Sequence, residues 1–303
     1  MLTIFAQPKA FKGHFGVIQR NAISQWARLS PKPEIILLGG EEGTAEIAEE
    51  FGVRYVREVH CNEFGTPMLD HLFEQARSHA SNDILCYVNA DILLLGDFMG
   101  AVKRVSAWRN RFLMVGRRTN LDLDVPAIYE LPYNEPRLRA LVQNKGRLAA
   151  ANAIDYFVFP RGLFASFPPF AIGRPWWDNW FLWQARASKA ALVDASEVIL
   201  AVHQNHDYSH LPKGQPNVME CEEATRNKNI AGNSFRTIED ATYKLSANRI
   251  TYNFRHFRIS TERAVLPRWT AFLKTSGPVR HRLGLRRSSI AGMLGRIRAL
   301  ATR

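Results

Sequence analysis

Short apolar runs alternate with longer amphipathic stretches through the first third of the chain. Leu2–Ala6, Glu34–Leu38, residues 53–56 and Ile84–Val88 read as strands, each too short and too apolar for a surface helix. Between them, residues 16–29, Thr44–Phe51 and residues 66–79 carry helical spacing. In the first of these helices, Val17, Ala22, Ile23, Trp26 and Ala27 supply the buried side. In the third, Thr66 is expected as N-cap, with Pro67 at the first helical position. Further on, the pattern predicts a helix over Asp97–Trp108, strands over 112–116, 154–159 and 198–202, and an aromatic-rich helix over Trp177–Ala187. Residues 117–136, with Pro126, Pro132 and Pro136, read as loop, and the periodicity weakens beyond Leu211.

Strands alternating with helices predict an α/β fold, a Rossmann-like, mixed and mostly parallel sheet flanked by helices. Such sheets bind ligands at the carboxyl ends of their strands. That makes loops 7–12, 39–43, 62–67 and 89–91 the places to look for chemistry.

Charge divides the chain. The net charge is +12, yet residues 241–303 hold 14 Lys and Arg against one acid, Glu262, while the other 240 residues hold 26 basic and 27 acidic side chains. The body is thus nearly neutral, and the basic end reads as a docking extension and not as part of a catalytic groove. Over 286–303, Ile290, Met293, Leu294, Ile297 and Leu300 form one apolar stripe among arginines, a pattern that suits an anionic membrane surface. A domain over 1–240 and a basic, partly helical extension over 241–303 follow. Cys61, Cys86 and Cys221 are odd in number and far apart, so no disulfide framework or cysteine zinc site is expected. With no signal-like start and no apolar run near ~18 residues, the expected location is cytoplasmic, peripheral on the inner membrane face if the tail docks there.

Three segments carry candidate chemistry. Strand Ile84–Val88 stops at Asn89-Ala90-Asp91, which places the Asp91 carboxylate at the ligand edge, where an oxygen donor suits Mn²⁺ or Mg²⁺. Gly173-Arg174-Pro175-Trp176-Trp177-Asp178-Asn179-Trp180 concentrates indole faces, on which sugar rings stack, around a carboxylate expected to cap a helix. His203-Gln204-Asn205-His206-Asp207-Tyr208-Ser209-His210 offers metal or phosphate ligands at the end of a strand, with His203 and His206 equally placed.

The order of these segments resembles that of GT-A glycosyltransferases, family 2-like enzymes that use nucleotide-sugar donors. Asn89-Ala90-Asp91 is similar to their Asp-x-Asp motif, with Asn89 in place of the first Asp. The resemblance covers about residues 1–210 and implies a nucleotide-binding half, 1–115, and an acceptor half, 116–240. It implies Asp91 with His203 or His206 as metal ligands, and Asp178 as the general base of an inverting transfer. It also implies Ala6, Gln7, Pro8, Lys9, Arg20, Gly65, Thr66 and Asn89 around the nucleotide, with Trp176, Trp177 and Asn179 toward a glycan or lipid-linked acceptor.

Competing readings are weaker. The first strand is followed by Ala6-Gln7-Pro8-Lys9-Ala10-Phe11, which lacks the Gly-rich signature of sugar nucleotidyltransferases, the dinucleotide fingerprint and the Walker lysine. No nucleic-acid module accompanies the basic tail, so no nucleic-acid partner is expected. The alternative that remains is a non-catalytic carbohydrate-binding or membrane-associated relative.

Overall fold

A computed structural model describes residues 1–123, 135–206 and 215–254; the expectations for Asp207–His210 and for the 286–303 stripe lie outside the described residues. In chain order the elements are β1 Leu2–Ala6, α1 Gly13–Ala27, β2 Glu34–Leu38, α2 Thr44–Phe51, β3 Arg54–Val56, α3 Leu69–His79, β4 Ile84–Val88 and β5 Ile92–Leu94. Then follow α4 Asp97–Trp108, β6 Phe112–Val115, β7 Arg118–Leu121, α5 Glu135–Lys145, β8 Arg147–Leu148, β9 Tyr156–Pro160 and α6 Trp177–Ala187. Last come β10 Ala191–Asp194, β11 Ala201–Gln204, α7 Gln215–Glu220, α8 Glu222–Ala231, β12 Tyr243–Leu245 and β13 Ile250–Tyr252.

The main sheet has the order β13-β12-β10-β6-β9-β4-β1-β2-β3. Its pairings are parallel except at β9, which runs antiparallel to both β4 and β6, and at the terminal β12–β13 hairpin. It is therefore the mixed, mostly parallel sheet expected. Side chains of β1 alternate between two cores, as strand geometry requires. Leu2, Ile4 and Ala6 pack on one face with Trp26 of α1, Ile47 of α2 and Phe98 of α4. Phe5 packs on the other with Leu72 and Phe73 of α3 and Phe181 of α6.

Two register features build the site. Because β9 is antiparallel to β4, with Val88 opposite Tyr156, its first residues sit at the carboxyl end of β4. A second sheet, β5-β11-β7-β8, pairs β11 antiparallel to β5 with His203 opposite Ile92. Residues 91 and 203 are thereby brought together.

Several expectations change. Helix α3 begins at Leu69, not at Thr66. Pro67 and Met68 are instead taken up in bridges to Cys61 and Ala171, and the Thr66 amide donates to the Asn62 side chain in a turn. The segment read as loop contains β7 and leads into α5, where Pro136 sits harmlessly in the first helical turn. The late strand lies over Ala201–Gln204, because the amides of Val198 and Ile199 turn back onto the Ala195 carbonyl. The sheet also runs past residue 240, through β12 and β13, and the compact unit ends at Tyr252. A second unit, 253–303, lies outside the described residues but for its first two. Among the described residues no helix is long and apolar enough to cross a membrane.

Gly116 follows β6 beside the buried Tyr156, and a Cβ there would approach the Tyr156 hydroxyl oxygen to 2.1 Å. That hydroxyl has no hydrogen-bond partner among the described residues. Gly116→Ala should lower stability by about 1–3 kcal/mol through overpacking, measured by urea unfolding. Tyr156→Phe alone should cost nothing, since it removes a buried unsatisfied hydroxyl, and combined with Gly116→Ala it should recover part of the loss.

Candidate active site

Asp91 follows the β4 end by three residues, in a turn closed by the Ile92 amide donating to the Asn89 carbonyl. His206 Nε2 lies 3.2 Å from Asp91 Oδ2 and His203 Nε2 lies 3.6 Å from it. One ligand atom from each of the three residues falls within 4.8 Å of the others. Burial works to raise the Asp91 carboxyl, but the two imidazoles hold it well below the usual carboxylate range. Burial works to lower the His203 imidazole, and the hydrogen bond and charge of Asp91 outweigh it, so His203 titrates above its usual range.

The surroundings fix these rings. Asn205 Oδ1 is 3.3 Å from His203 Nδ1, and the Asn205 amide donates to Asp122 Oδ1 at 2.7 Å. Phe15 packs on the His206 ring with centroids 4.9 Å apart. Asp91 Oδ1 is buried and has no hydrogen-bond partner among the described residues, an orphaned oxygen of the kind a cation would satisfy. One carboxylate and two imidazoles, His203 held from behind by Asn205 and His206 packed on Phe15, fit a divalent metal.

A second carboxylate group stands alongside. Asp155, just before β9, is 5% exposed and accepts from Arg118 Nη1 at 2.9 and 3.0 Å and from Asn89 Nδ2 at 2.7 Å. Asp178 is the second residue of α6 and not its cap; Trp176 takes the cap position with φ 90°, a conformation L side chains rarely adopt. Burial pushes the Asp178 carboxyl up to about 7; the Asn179 amide opposes this and the charge of Asp155 adds to it.

The other expected residues divide. The Lys9 backbone is held at both ends by the Gln19 amide, at 2.6 and 2.9 Å, and the Lys9 ammonium lies 4.3 Å from the Phe15 ring centre, within electrostatic reach of Asp91 and Arg174. Ala6 is buried at the end of β1, Pro8 is buried in the loop beyond it, and the Gln7 side chain turns back to the Pro8 carbonyl. Gly65 and Thr66 belong to the Asn62 turn, which Glu223 ties to Arg174 through the Asn62 amide at 2.7 Å and an ion pair at 2.6 Å. Arg20 pairs with Glu50 on α2.

The acceptor reading changes most. Trp177 is 5% exposed, edge-on to Tyr87 with centroids 5.4 Å apart, so its faces belong to the core and are closed to a sugar. Asn179 is buried and donates to the Arg236 carbonyl. Trp176 is half-buried beside Phe235 and Lys228, and it keeps more of its surface open than Trp177. Asp155, Arg118, Arg174 and Asn205 were given no role from the sequence; the first three act through partners distant along the chain, and Asn205 joins neighbouring His203 to distant Asp122.

No family model and no curated protein matches this chain. Solved structures do. A mannosyltransferase from Pyrobaculum calidifontis, in complex with GDP-Man and Mn²⁺, is similar at 13% identity and TM-score 0.43 over 67% of this chain, which spans 56% of that one. M. tuberculosis glucosyl-3-phosphoglycerate synthase is similar at 17% identity and TM-score 0.43, over 68% of this chain and 72% of its own. S. aureus TarS 1-349, in complex with UDP-GlcNAc, is similar at 10% identity and TM-score 0.46, over 69% of this chain and 60% of its own. At that distance neither donor nor acceptor carries over.

If the three-residue cluster holds a cation, Asp91→Ala should weaken Mn²⁺ binding in calorimetry by more than the roughly 10–100-fold typical of losing an outer partner. Asn205→Ala, which removes the partner behind His203 and its link to Asp122 but no ligand, should fall within that range. Equal and negligible effects would remove the cluster from consideration as a metal centre.

Proposed function

We propose that this chain is a GT-A type glycosyltransferase, moving a sugar from a nucleotide-diphosphate sugar to a hydroxyl of a glycan or lipid-linked glycan, with a divalent cation and inversion at the anomeric carbon. The convergence of Asp91, His203 and His206 at the carboxyl edge of the sheet carries this reading. A cation bound there supplies charge neutralisation for the departing diphosphate. Two imidazoles in the donor set favour Mn²⁺ over Mg²⁺. Lys9 adds positive potential near the same carboxylate, and Asn89 with the 62–67 turn would border the nucleotide.

Asp178 is assigned the base. The acceptor hydroxyl must lose its proton as it attacks, and a carboxylate raised to about 7 is basic enough to take it near neutral pH. The residue is half-buried, so a substrate hydroxyl can reach it. Trp176 then remains the aromatic candidate for the acceptor side.

Nucleotide sugars screened for hydrolysis with and without Mn²⁺ would identify the donor through the diphosphate released. With that donor, Asp178→Asn should reduce transfer by about 10²–10⁴-fold while leaving donor binding nearly intact. The base must be ionised to act, so the parent rate should rise with pH through about 7 and then level. In Asp178→Asn any residual rate should lose that step. Metal-dependent donor binding without hydrolysis or transfer by the parent chain would favour the non-catalytic relative instead.

The apolar stripe and arginines of 286–303 support a lipid-linked acceptor met at an anionic membrane surface. Liposome flotation should carry the full chain and not one ending at Gly277; equal flotation of the two would remove the tail as an anchor.

A further inference from the structure

Asn89 is the residue whose function the local sequence leaves least defined, and its partners define it. Its backbone amide donates to the Asp155 carbonyl at 2.9 Å, and its side-chain amide donates to Asp155 Oδ1 at 2.7 Å. Asp155 is in turn bound by Arg118, whose Nη1 spans both carboxylate oxygens and whose Nε donates to Asn120 Oδ1 at 3.0 Å. A carboxylate paired with a guanidinium only accepts. The end of the Asn89 amide that faces it must therefore be Nδ2, and the planar group then turns Oδ1 to the opposite side. Asp155 is almost fully buried, whereas Asn89 is half-buried at the strand end that carries Asp91. The exposed side of the amide is thus the side of the ligand edge.

We propose that Asp155, backed by Arg118, is a positioning residue that locks the Asn89 amide with Oδ1 toward the donor site, where Asn89 accepts a hydrogen bond from a hydroxyl of the nucleotide sugar. The inference rests on the glycosyltransferase reading and assigns Asn89 to donor recognition. It also explains how an uncharged residue serves at this position: the neighbouring negative charge is carried by Asp155, almost fully buried, and is balanced by Arg118.

A reciprocal exchange tests it. Asn89→Asp sets two carboxylates against each other, and Asp155→Asn removes the acceptor that fixes the amide. Each should raise the donor KM about tenfold or more, the scale of a broken buried polar pair, with a smaller change in kcat at saturating donor. The double variant Asn89→Asp with Asp155→Asn rebuilds an amide–carboxylate pair with its ends exchanged and leaves an oxygen facing the donor. Its donor KM should return to within about threefold of the parent. Calorimetry with UDP-glucose and GDP-mannose in the presence of Mn²⁺ gives the same comparison as binding, and thermal melts identify any variant that does not fold. If Asp155→Asn does not fold, Asn89→Asp against the double variant still decides. A double variant no better than the worse single, or single variants that bind like the parent, would overturn the proposal while leaving the glycosyltransferase reading in place. Failure of the parent chain to bind or hydrolyse any nucleotide sugar of the screen with Mn²⁺ would overturn that reading, and this inference with it.

Discussion

One buried amide holds the two sheets in register at the site. Gln204 is completely buried, and its Nε2 donates to the carbonyls of Ile18 and Asp91 at 2.8 and 3.0 Å, while its Oε1 accepts from Asn21 Nδ2 at 2.9 Å. Helix α1, the turn after β4 and the end of β11 meet at this side chain. An amide in an apolar interior is costly unless its groups are satisfied, so only an arrangement that brings all three elements together avoids the penalty. His203 is the preceding residue, and its distance to Asp91 follows from where Gln204 is held. The histidine cluster is thus a consequence of packing as much as of its own chemistry.

Most of the frame was legible because it obeys simple periodicities. Leu2–Ala6, Glu34–Leu38, Thr44–Phe51, Ile84–Val88 and Trp177–Ala187 are found where the pattern places them. What resisted reading has identifiable causes. In β7 only Leu121 is buried and Arg118, Thr119 and Asn120 are half-exposed, so no alternation marks it as a strand. Helix α5 buries only Leu138 and Val142, and its Pro136 resembles a loop signal. Thr66-Pro67 reads locally as a helix start, yet bridges to Cys61 and Ala171 override the cap.

The candidate site was legible in the side chains that converge and not in their supports. Asp91, His203 and His206 announce themselves as polar groups at the ends of apolar strands. Asp155 gives no such signal, because its importance comes from β9 entering the sheet antiparallel and delivering its first residues to Asn89. Arg118 likewise depends on the parallel pairing of β7 with β11. The tryptophan cluster misleads in the opposite direction. Indole rings that would suit a sugar suit a core equally well, and Trp177 and Trp180 are spent on the packing beneath α6.

His206 and Asp91 stand 115 residues apart in the chain. An ion held between them would act as a reversible cross-link between the turn after β4 and the segment after β11, in the second sheet. The unfolded chain cannot gather the same ligands without closing a long loop, which costs entropy. A cation that binds only the folded form stabilises it by about 2.7 kcal/mol at a hundred times its dissociation constant. Thermal stability then becomes a function of free metal concentration. The order in which different ions raise the melting temperature would rank the selectivity of the site before any sugar has been identified.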